Sequence, residues 1–250
     1  MYIRKTALLT LAILIFSQPL AAKDKTLISV YVYHLKPPYI LNIENETGLY
    51  YDFSRYLSQK SKLYEFHTIY LPRKRVEAYL NSNKIDGMLL GVSPIWFQDK
   101  ARKKYLWTSA VFQDQDEIVS LATKPVEYLG PESLIHKSLG GVLGFYYFGI
   151  DSLVSQGKIK RRDAHSELSV LKMILSKRVD VGIVSRSTFL YLSIRENWED
   201  KFHLSLKPHD VFTRHVLVPH TNKNIYDHIA PLLNNIEDDP DWQRILKKYH

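Results

Sequence analysis

The chain has 250 residues, of which 45% are hydrophobic and 24% are charged, and its formal net charge at pH 7 is +8. This apolar content is that of an ordinary globular protein. Cysteine is absent, which excludes disulfides, thiolate metal sites and a lipid-modified N-terminal cysteine.

The first 22 residues have the pattern of a signal peptide. Arg4 and Lys5 form a basic start, and Thr6 to Phe16 is an apolar run too short to span a bilayer comfortably. The following segment, which ends at Ala22, is typical of a signal-peptidase site; an uncleaved membrane anchor is the alternative. We therefore expect residues 23–250 to be exported, either to a Gram-negative periplasm or out of the cell. Their length suits one or two domains.

Basic clusters at residues 73–75, 100–104 and 158–162 supply much of the positive charge. Such clusters can bind nucleic acid, but an exported protein rarely meets any, so we expect no nucleic-acid partner. A solvated face is one interpretation, and an anionic ligand or the anionic envelope surface is the other.

One pattern occurs twice along the chain. Residues 84–90 (KIDGMLL) are echoed by residues 178–184 (RVDVGIV), and each copy follows an amphipathic helical segment. Continuous apolar runs of this length are typical of buried parallel strands. Two such α/β units predict two lobes with a cleft between them, where small ligands usually bind.

The predicted elements of the first half form a βαβαβ unit. Turn-forming residues separate them, among them Pro37, Pro38 and Gly48. The sequence predicts strands at residues 27–33, 65–71 and 85–90, and helices at residues 49–60 and from Pro72 to about residue 81.

The second half repeats this order. It has predicted strands at residues 139–143, 159–162 and 179–184, and helices at residues 148–156, around the apolar face from Leu168 to Leu175, and at residues 188–196. A strand at residues 216–218 and two apolar helical stripes, 225–236 and 242–249, complete the chain.

Short motifs occur along the chain in an order that is similar to one known family. They are Pro37-Pro38-Tyr39, Gly48–Asp52, Leu71–Arg75, Ile85-Asp86-Gly87, Tyr105–Ser109 and Asp239–Tyr249. Together they resemble the bacterial extracellular solute-binding proteins of family three, the polar-amino-acid-binding type, over essentially the whole mature chain.

The resemblance implies an α/β, two-lobed periplasmic-binding-protein fold of type II. Each lobe would be a βαβ-based sheet flanked by helices, with lobe one at residues 23–112 and 212–250 and lobe two at residues 117–208. Two hinge crossings would let the lobes close on a small-molecule ligand. A monomer would then deliver that ligand to an inner-membrane ABC permease or present it to a sensor.

The resemblance also implies two charged anchors for an amino-acid ligand, and this chain departs from both. Gln98 stands where the family has an Arg, with Arg102 four residues later, and Ser185 and Arg186 follow the strand that an Asp usually closes. The ammonium anchor is thus expected to be missing. Arg75, Arg102 and Arg186 would favour an anionic ligand if they face the cleft; solvated arginines or surface ion pairs are the alternative.

Aromatic and small polar residues complete the expected site. Tyr39 is the preferred stacking residue, and backbone N–H groups at the start of the helix after Gly144 could bind an anion. The expected ligand-binding residues are Tyr39, Tyr51, Arg75, Gly91, Ser93, Trp96, Arg102, Tyr146, Tyr147, Ser185 and Arg186.

No motif indicates catalysis. The chain has no His-Glu-x-x-His, no Gly-x-Ser-x-Gly and no P-loop, and its ten histidines lack metal-site spacing. We therefore expect a binding protein without cofactor or metal. A periplasmic enzyme of the dehydratase kind on the same scaffold is the alternative.

Overall fold

The computed structural model describes residues 24–249. The predicted signal peptide, residues 1–22, lies outside the described residues. The strands are β1 (Thr26–Val32), β2 (Tyr64–Tyr70), β3 (Met88–Val92), β4 (Leu106–Trp107), β5 (Phe112–Leu121), β6 (Ser138–Val142), β7 (Lys160–Ala164), β8 (Val181–Ser185), β9 (Phe202–Leu204) and β10 (Asp210–Val218). The helices are α1 (Leu49–Lys60), α2 (Arg73–Asn81), α3 (Ile150–Ser155), α4 (Glu167–Leu175), α5 (Arg186–Glu196), α6 (Lys223–Leu233) and α7 (Pro240–Leu246).

The strands form two equivalent arrangements, each of which ends in one long strand. In the first, β2, β1 and β3 are parallel and β10 pairs antiparallel with β3. In the second, β7, β6 and β8 are parallel and β5 pairs antiparallel with β8. Strands β5 and β10 pair antiparallel with each other and connect the two arrangements. The predicted α/β fold of two βαβ-based lobes joined by two crossings is confirmed.

The repeated sequence pattern marks the central strand of each lobe. Strands β3 and β8 are buried along their whole length, as expected of strands covered on both faces. The aspartates of the pattern lie just before these strands: Asp86 accepts a hydrogen bond from the Tyr31 hydroxyl, and Asp180 accepts from the backbone and the hydroxyl of Ser138. Each aspartate thus ties the start of its strand to a neighbouring strand, and β3 begins at Met88, three residues later than predicted.

Each lobe has its own apolar core. In the first lobe the clusters draw on residues 28–112 and 216–249, and in the second on residues 118–204. Trp242 of α7 is fully buried against Phe53, and its indole N–H donates to the Val111 carbonyl. The C-terminal helix therefore packs back onto the lobe that contains β1. Among residues 24–249, no helix has the length and apolarity needed to cross a bilayer.

Candidate functional site

A loop of the first lobe contacts the second lobe directly. The Thr188 hydroxyl, in the first turn of α5, donates a 2.6 Å hydrogen bond to the Pro37 carbonyl. Lys36 and Tyr39 flank this contact: Lys36 reaches the end of β8 and the start of α4, and Tyr39 reaches the start of α5. The loop after β1 thus forms one wall of an interlobe cleft.

The Lys36 ammonium group bridges the two lobes. Its Nζ lies 2.7 Å from Glu167 Oε1 and 2.8 Å from Ser185 Oγ. The same nitrogen lies 5.7 Å from the ring centroid of Tyr39 and 5.9 Å from that of Phe145. The side chains of Lys36 and Glu167 are only 11% and 4% exposed, so this ion pair is largely shielded from water.

Tyr39 makes a second connection between the lobes. It is fully buried, its hydroxyl donates to Asp114 Oδ2, and its oxygen lies 2.7 Å from Ser187 Oγ. Ser187 donates to the same carboxylate through its hydroxyl at 2.9 Å and its backbone N–H at 3.2 Å. Burial holds the pKa of Tyr39 well above its ordinary value, so its hydroxyl stays protonated and can donate.

A buried arginine of the hinge supports this network. Arg214 donates to the Gly91 carbonyl at 2.9 Å and forms an ion pair with Asp114 at 3.4 Å. Its guanidinium carbon lies 4.5, 5.2 and 5.0 Å from the ring centroids of Tyr39, Trp96 and Phe212. Burial alone would raise the pKa of Asp114, but Arg214 and the hydrogen bond from Tyr39 hold it below the ordinary value.

His34 lies beside the same guanidinium. Its Nε2 is 3.3 Å from an Arg214 nitrogen, and its ring packs against Tyr33. Burial, together with the charges of Arg214 and Lys36, lowers the pKa of His34 well below its ordinary value. The imidazole is therefore neutral and can accept a hydrogen bond from the guanidinium.

Asp116 is the cleft carboxylate without a hydrogen-bond partner among residues 24–249. Strand alternation places it on the same face of β5 as Asp114, opposite Ser185 of β8 in the ladder. Burial raises its pKa to about 7; the negative charge of Glu167 adds to this shift and the positive charge of Lys36 opposes it. Asp116 therefore titrates near neutral pH.

Two cavities of about 240 Å³ each flank this cluster. One lies beside the Lys36–Glu167 pair, and its walls include Leu35, Ile40, Leu41, Leu168 and Leu192. The other lies at the hinge and is lined by Ser93, Ile95, Trp96, Gln113 and residues 210–213. Among residues 24–249, no three or more potential metal ligands come together.

Several of the expected site residues lie at the cleft or its walls. Tyr39 and Ser185 belong to the polar network. Ser93 and Trp96 line the hinge cavity, and the Gly91 carbonyl binds Arg214. Gly91 has a φ of 77°, and a side chain there would clash with the Tyr50 hydroxyl, so this position requires glycine.

The three arginines expected in the cleft lie elsewhere. Arg75 and Arg102 are exposed, and within residues 24–249 neither forms an ion pair. Arg186 is half-exposed and binds Glu117. Glu117 lies on the face of β5 opposite Asp114, where Gln115 also donates to it. The Arg186 charge thus neutralises a buried carboxylate of the hinge.

The remaining aromatic candidates have different surroundings. Tyr51 packs into the first-lobe core, and Tyr146 is 73% exposed. Tyr147 is buried beneath Arg161, and its oxygen accepts a hydrogen bond from the Val142 N–H.

The expected anion site in this loop stays a prediction. Helix α3 begins at Ile150, not at Phe148, and two N–H groups of the preceding loop already have partners. Phe145 donates to the Val142 carbonyl, and Tyr147 donates to Asp151 Oδ2. These two N–H groups are therefore not available to a ligand.

The sequence analysis missed the residues that carry most of the cleft's charge: Lys36, Asp114, Asp116, Glu167 and Arg214. One signal was present. Carboxylates at alternate positions of a strand point to the same face, and Asp114 and Asp116 alternate in the expected hinge segment. The sequence around Glu167 contains no signal that this residue, at the first position of a helix, would contact a lysine from the other lobe.

Comparison with known proteins relates this fold to solved structures. No family model matches the chain, and no curated protein sequence matches it. Among solved structures, the GluR0 ligand-binding core from Nostoc punctiforme, in complex with L-glutamate, superposes with a TM-score of 0.67 at 14% identity, covering 90% of this chain and 98% of that one.

Two further structures are similar to the same extent. An ancestral arginine-binding protein bound to arginine has a TM-score of 0.66 at 16% identity, covering 90% of this chain and 98% of the other. The substrate-binding protein of an amino-acid ABC transporter has a TM-score of 0.65 at 13% identity, covering 89% and 98%. The chain therefore has the two-lobed fold of these solute-binding proteins.

The first prediction concerns the buried ion pair. Arg214→Met leaves the Asp114 carboxylate buried without its cation, so we expect a loss of about 3–5 kcal/mol in the free energy of unfolding. Adding Asp114→Asn removes the stranded charge, and the double variant should lose less than the sum of the single changes. Urea denaturation of the wild type, the two single variants and the double variant measures the free energy of unfolding of each.

Arg244→Met is the matched control, because Arg244 forms an exposed pair with Asp241. It should change the unfolding free energy little. Strict additivity of the Arg214 and Asp114 changes would contradict the coupling described here.

The second prediction concerns pH. Because the folded-state pKa of Asp116 is about 7 and that of an unfolded carboxyl is about 3.9, the native state binds more protons between these values. Its free energy of unfolding therefore falls as the pH rises through this window. Asp116→Asn removes the effect, so its melting temperature should exceed that of the wild type increasingly between pH 5 and pH 8.

Thermal melts at pH 5, 6, 7 and 8 provide the comparison. Glu132→Gln, at an exposed residue of the second lobe, serves as the control. The difference between its melting temperature and that of the wild type should not vary with pH. If the difference in melting temperature between Asp116→Asn and the wild type does not change with pH, the assignment of this titration to Asp116 is wrong.

Proposed function

We propose that the chain is an exported solute-binding protein of the family-three type, which captures a small polar ligand between its lobes by hinge closure. It would act in the periplasm as a monomer and pass the ligand to an inner-membrane ABC importer or present it to a sensor. The observation that carries the proposal is the shielded cleft in which Lys36 and Tyr39 of one lobe meet Glu167 and Ser187 of the other.

The proposed lobes are residues 23–112 with 212–250, and residues 117–208. Two facts support these limits: the apolar clusters divide between residues 28–112 with 216–249 and residues 118–204, and among residues 24–249 the strands of the two lobes are connected through the pairing of β5 with β10. Two paired strands can bend together as a hinge, while loops such as the one carrying Lys36 separate.

The charges of the cleft favour a ligand that carries an ammonium group. Asp114, Asp116 and Glu167 face two cations, Lys36 and Arg214, and Asp116 has no cationic hydrogen-bond partner among the described residues. The expectation of an anionic ligand depended on Arg75, Arg102 and Arg186. None of these contacts the buried cluster, so an amino-acid-like or amine ligand fits the cleft better than a simple anion.

Binding accounts for the cleft better than catalysis. The carboxylates Asp114 and Glu167 are each held by an ion pair and hydrogen bonds, which fix their orientation and occupy their oxygens. Burial raises the pKa of Asp116 to about 7, and catalysis by an acid–base pair would need a second titrating group in reach.

The third prediction tests this function with a thermal-shift screen of residues 23–250 against amino acids, simple amines, dicarboxylates, sugar acids and aromatic acids. A ligand at about 100 Kd adds roughly 2.7 kcal/mol to the free energy of unfolding. We expect compounds with an ammonium group to raise the melting temperature, and Asp116→Asn to reduce that shift at pH 8.

Glu132→Gln, an exposed change in the second lobe, should leave the shift intact. A response confined to dicarboxylates or sugar acids would overturn the ammonium assignment. The absence of any response across the panel would count against ligand capture itself.

A further inference from the structure

The group that the Lys36 side chain presents to the second lobe is a primary ammonium, the same group proposed for the ligand. We propose that Glu167, Ser185, Tyr39 and Phe145 form an ammonium subsite whose occupant is Lys36 of the same chain, so that a tethered internal ligand holds the lobes together. The inference deepens the proposed function and concerns the same cleft, but it requires no diffusible ligand.

The subsite has the composition of an ammonium-binding pocket. A carboxylate and a hydroxyl contact the nitrogen at 2.7 and 2.8 Å, and two aromatic rings lie within 6 Å of it. Aromatic rings at this distance attract a cation through their quadrupole, most strongly where water is excluded. An ordinary surface lysine–glutamate pair has neither the rings nor the buried hydroxyl.

The second lobe holds the carboxylate and the hydroxyl of the subsite in place without help from Lys36. Glu167 is the first residue of α4, where the helix dipole favours a negative charge. Its Oε2 accepts a 3.2 Å hydrogen bond from the Ser185 hydroxyl, and Ser185 is fully buried at the end of β8. The carboxylate is therefore oriented before any cation arrives.

Glu167 requires a cation when the cleft is closed. Its side chain is 4% exposed, and Lys36 is the one cationic residue among residues 24–249 that forms an ion pair with it. A buried carboxylate without a partner costs several kcal/mol. Closure of the lobes over this position therefore depends on an ammonium group, whether from Lys36 or from a ligand.

The first lobe presents Lys36 from a fixed backbone. The Lys36 N–H donates to the His34 carbonyl, its own carbonyl accepts from Ile40, and the next residue, Pro37, has a fixed φ. Little backbone freedom is therefore lost when the side chain enters the subsite. The tethered ammonium group thus competes strongly with a free amine for this position. The adjacent cavity, lined partly by Leu35 and Leu168, has room for a displaced Lys36 side chain.

The fourth prediction tests the subsite by chemical rescue. Lys36→Ala removes three methylenes and the ammonium group, which together are propylammonium. We expect the variant to melt at a lower temperature and to show a larger radius of gyration by small-angle X-ray scattering. Propylammonium chloride should restore both values, with half-saturation at about millimolar concentration or weaker, as suits a ligand of four non-hydrogen atoms.

Three controls separate a subsite from a simple charge effect. Tetramethylammonium chloride at equal ionic strength should restore neither value, because it cannot donate hydrogen bonds to Glu167 or Ser185. Lys36→Ala with Glu167→Gln should not respond to propylammonium. Lys74→Ala, at an exposed lysine of α2, should behave as the wild type.

Lys36→Met provides a second variant that keeps the bulk of the side chain, should the alanine variant fail to fold. It should open the lobes and be indifferent to propylammonium, because its own side chain fills the approach to the subsite. Unchanged scattering and melting in Lys36→Ala would overturn the proposal, as would equal rescue by tetramethylammonium. Both results are independent of the ligand screen, because a protein that no compound of that panel stabilises can still show the loss in Lys36→Ala and its rescue by propylammonium.

Discussion

The buried pair of Arg214 and Asp114 is the interaction on which the cleft depends. These residues lie on β10 and β5, which pair with each other and connect the two lobes. From there Arg214 reaches the Gly91 carbonyl of the first lobe, while Asp114 accepts hydrogen bonds from Tyr39 of the first lobe and Ser187 of the second. One ion pair in the hinge thus fixes groups on both sides of the cleft.

Such a pair contributes orientation more than stability. Removing two charges from water costs about as much as their attraction returns, so a buried pair is close to neutral until one partner is lost. The same balance holds for Lys36 and Glu167 between the lobes. An interface closed by polar groups that water can also satisfy opens more readily than an apolar one, and reversible opening is what capture and release require.

The sequence predicted those parts of the fold that depend on local patterns. Helix α1 has the predicted bounds, since its apolar spacing and the glycine before it are local signals. Strand β5 was expected only as a short crossing, because Asp114 to Glu117 are polar and become buried only through residues from both lobes. Likewise, composition cannot show that Arg75 is exposed while Arg73, two residues earlier, lies over Tyr33 and Phe97.

At the position where the resemblance implies an ammonium anchor, a carboxylate is supplied by another element of the fold. The position after Val184 holds Ser185 instead of an acid, yet a carboxylate lies beside it, because Glu167 reaches there from the start of α4. A helix start is a favourable place for this charge, and Ser185 orients it. If an ammonium group is required there for closure, the tethered Lys36 and a free ligand must compete for one position. The affinity for any ligand would then be lowered by the free energy needed to displace Lys36.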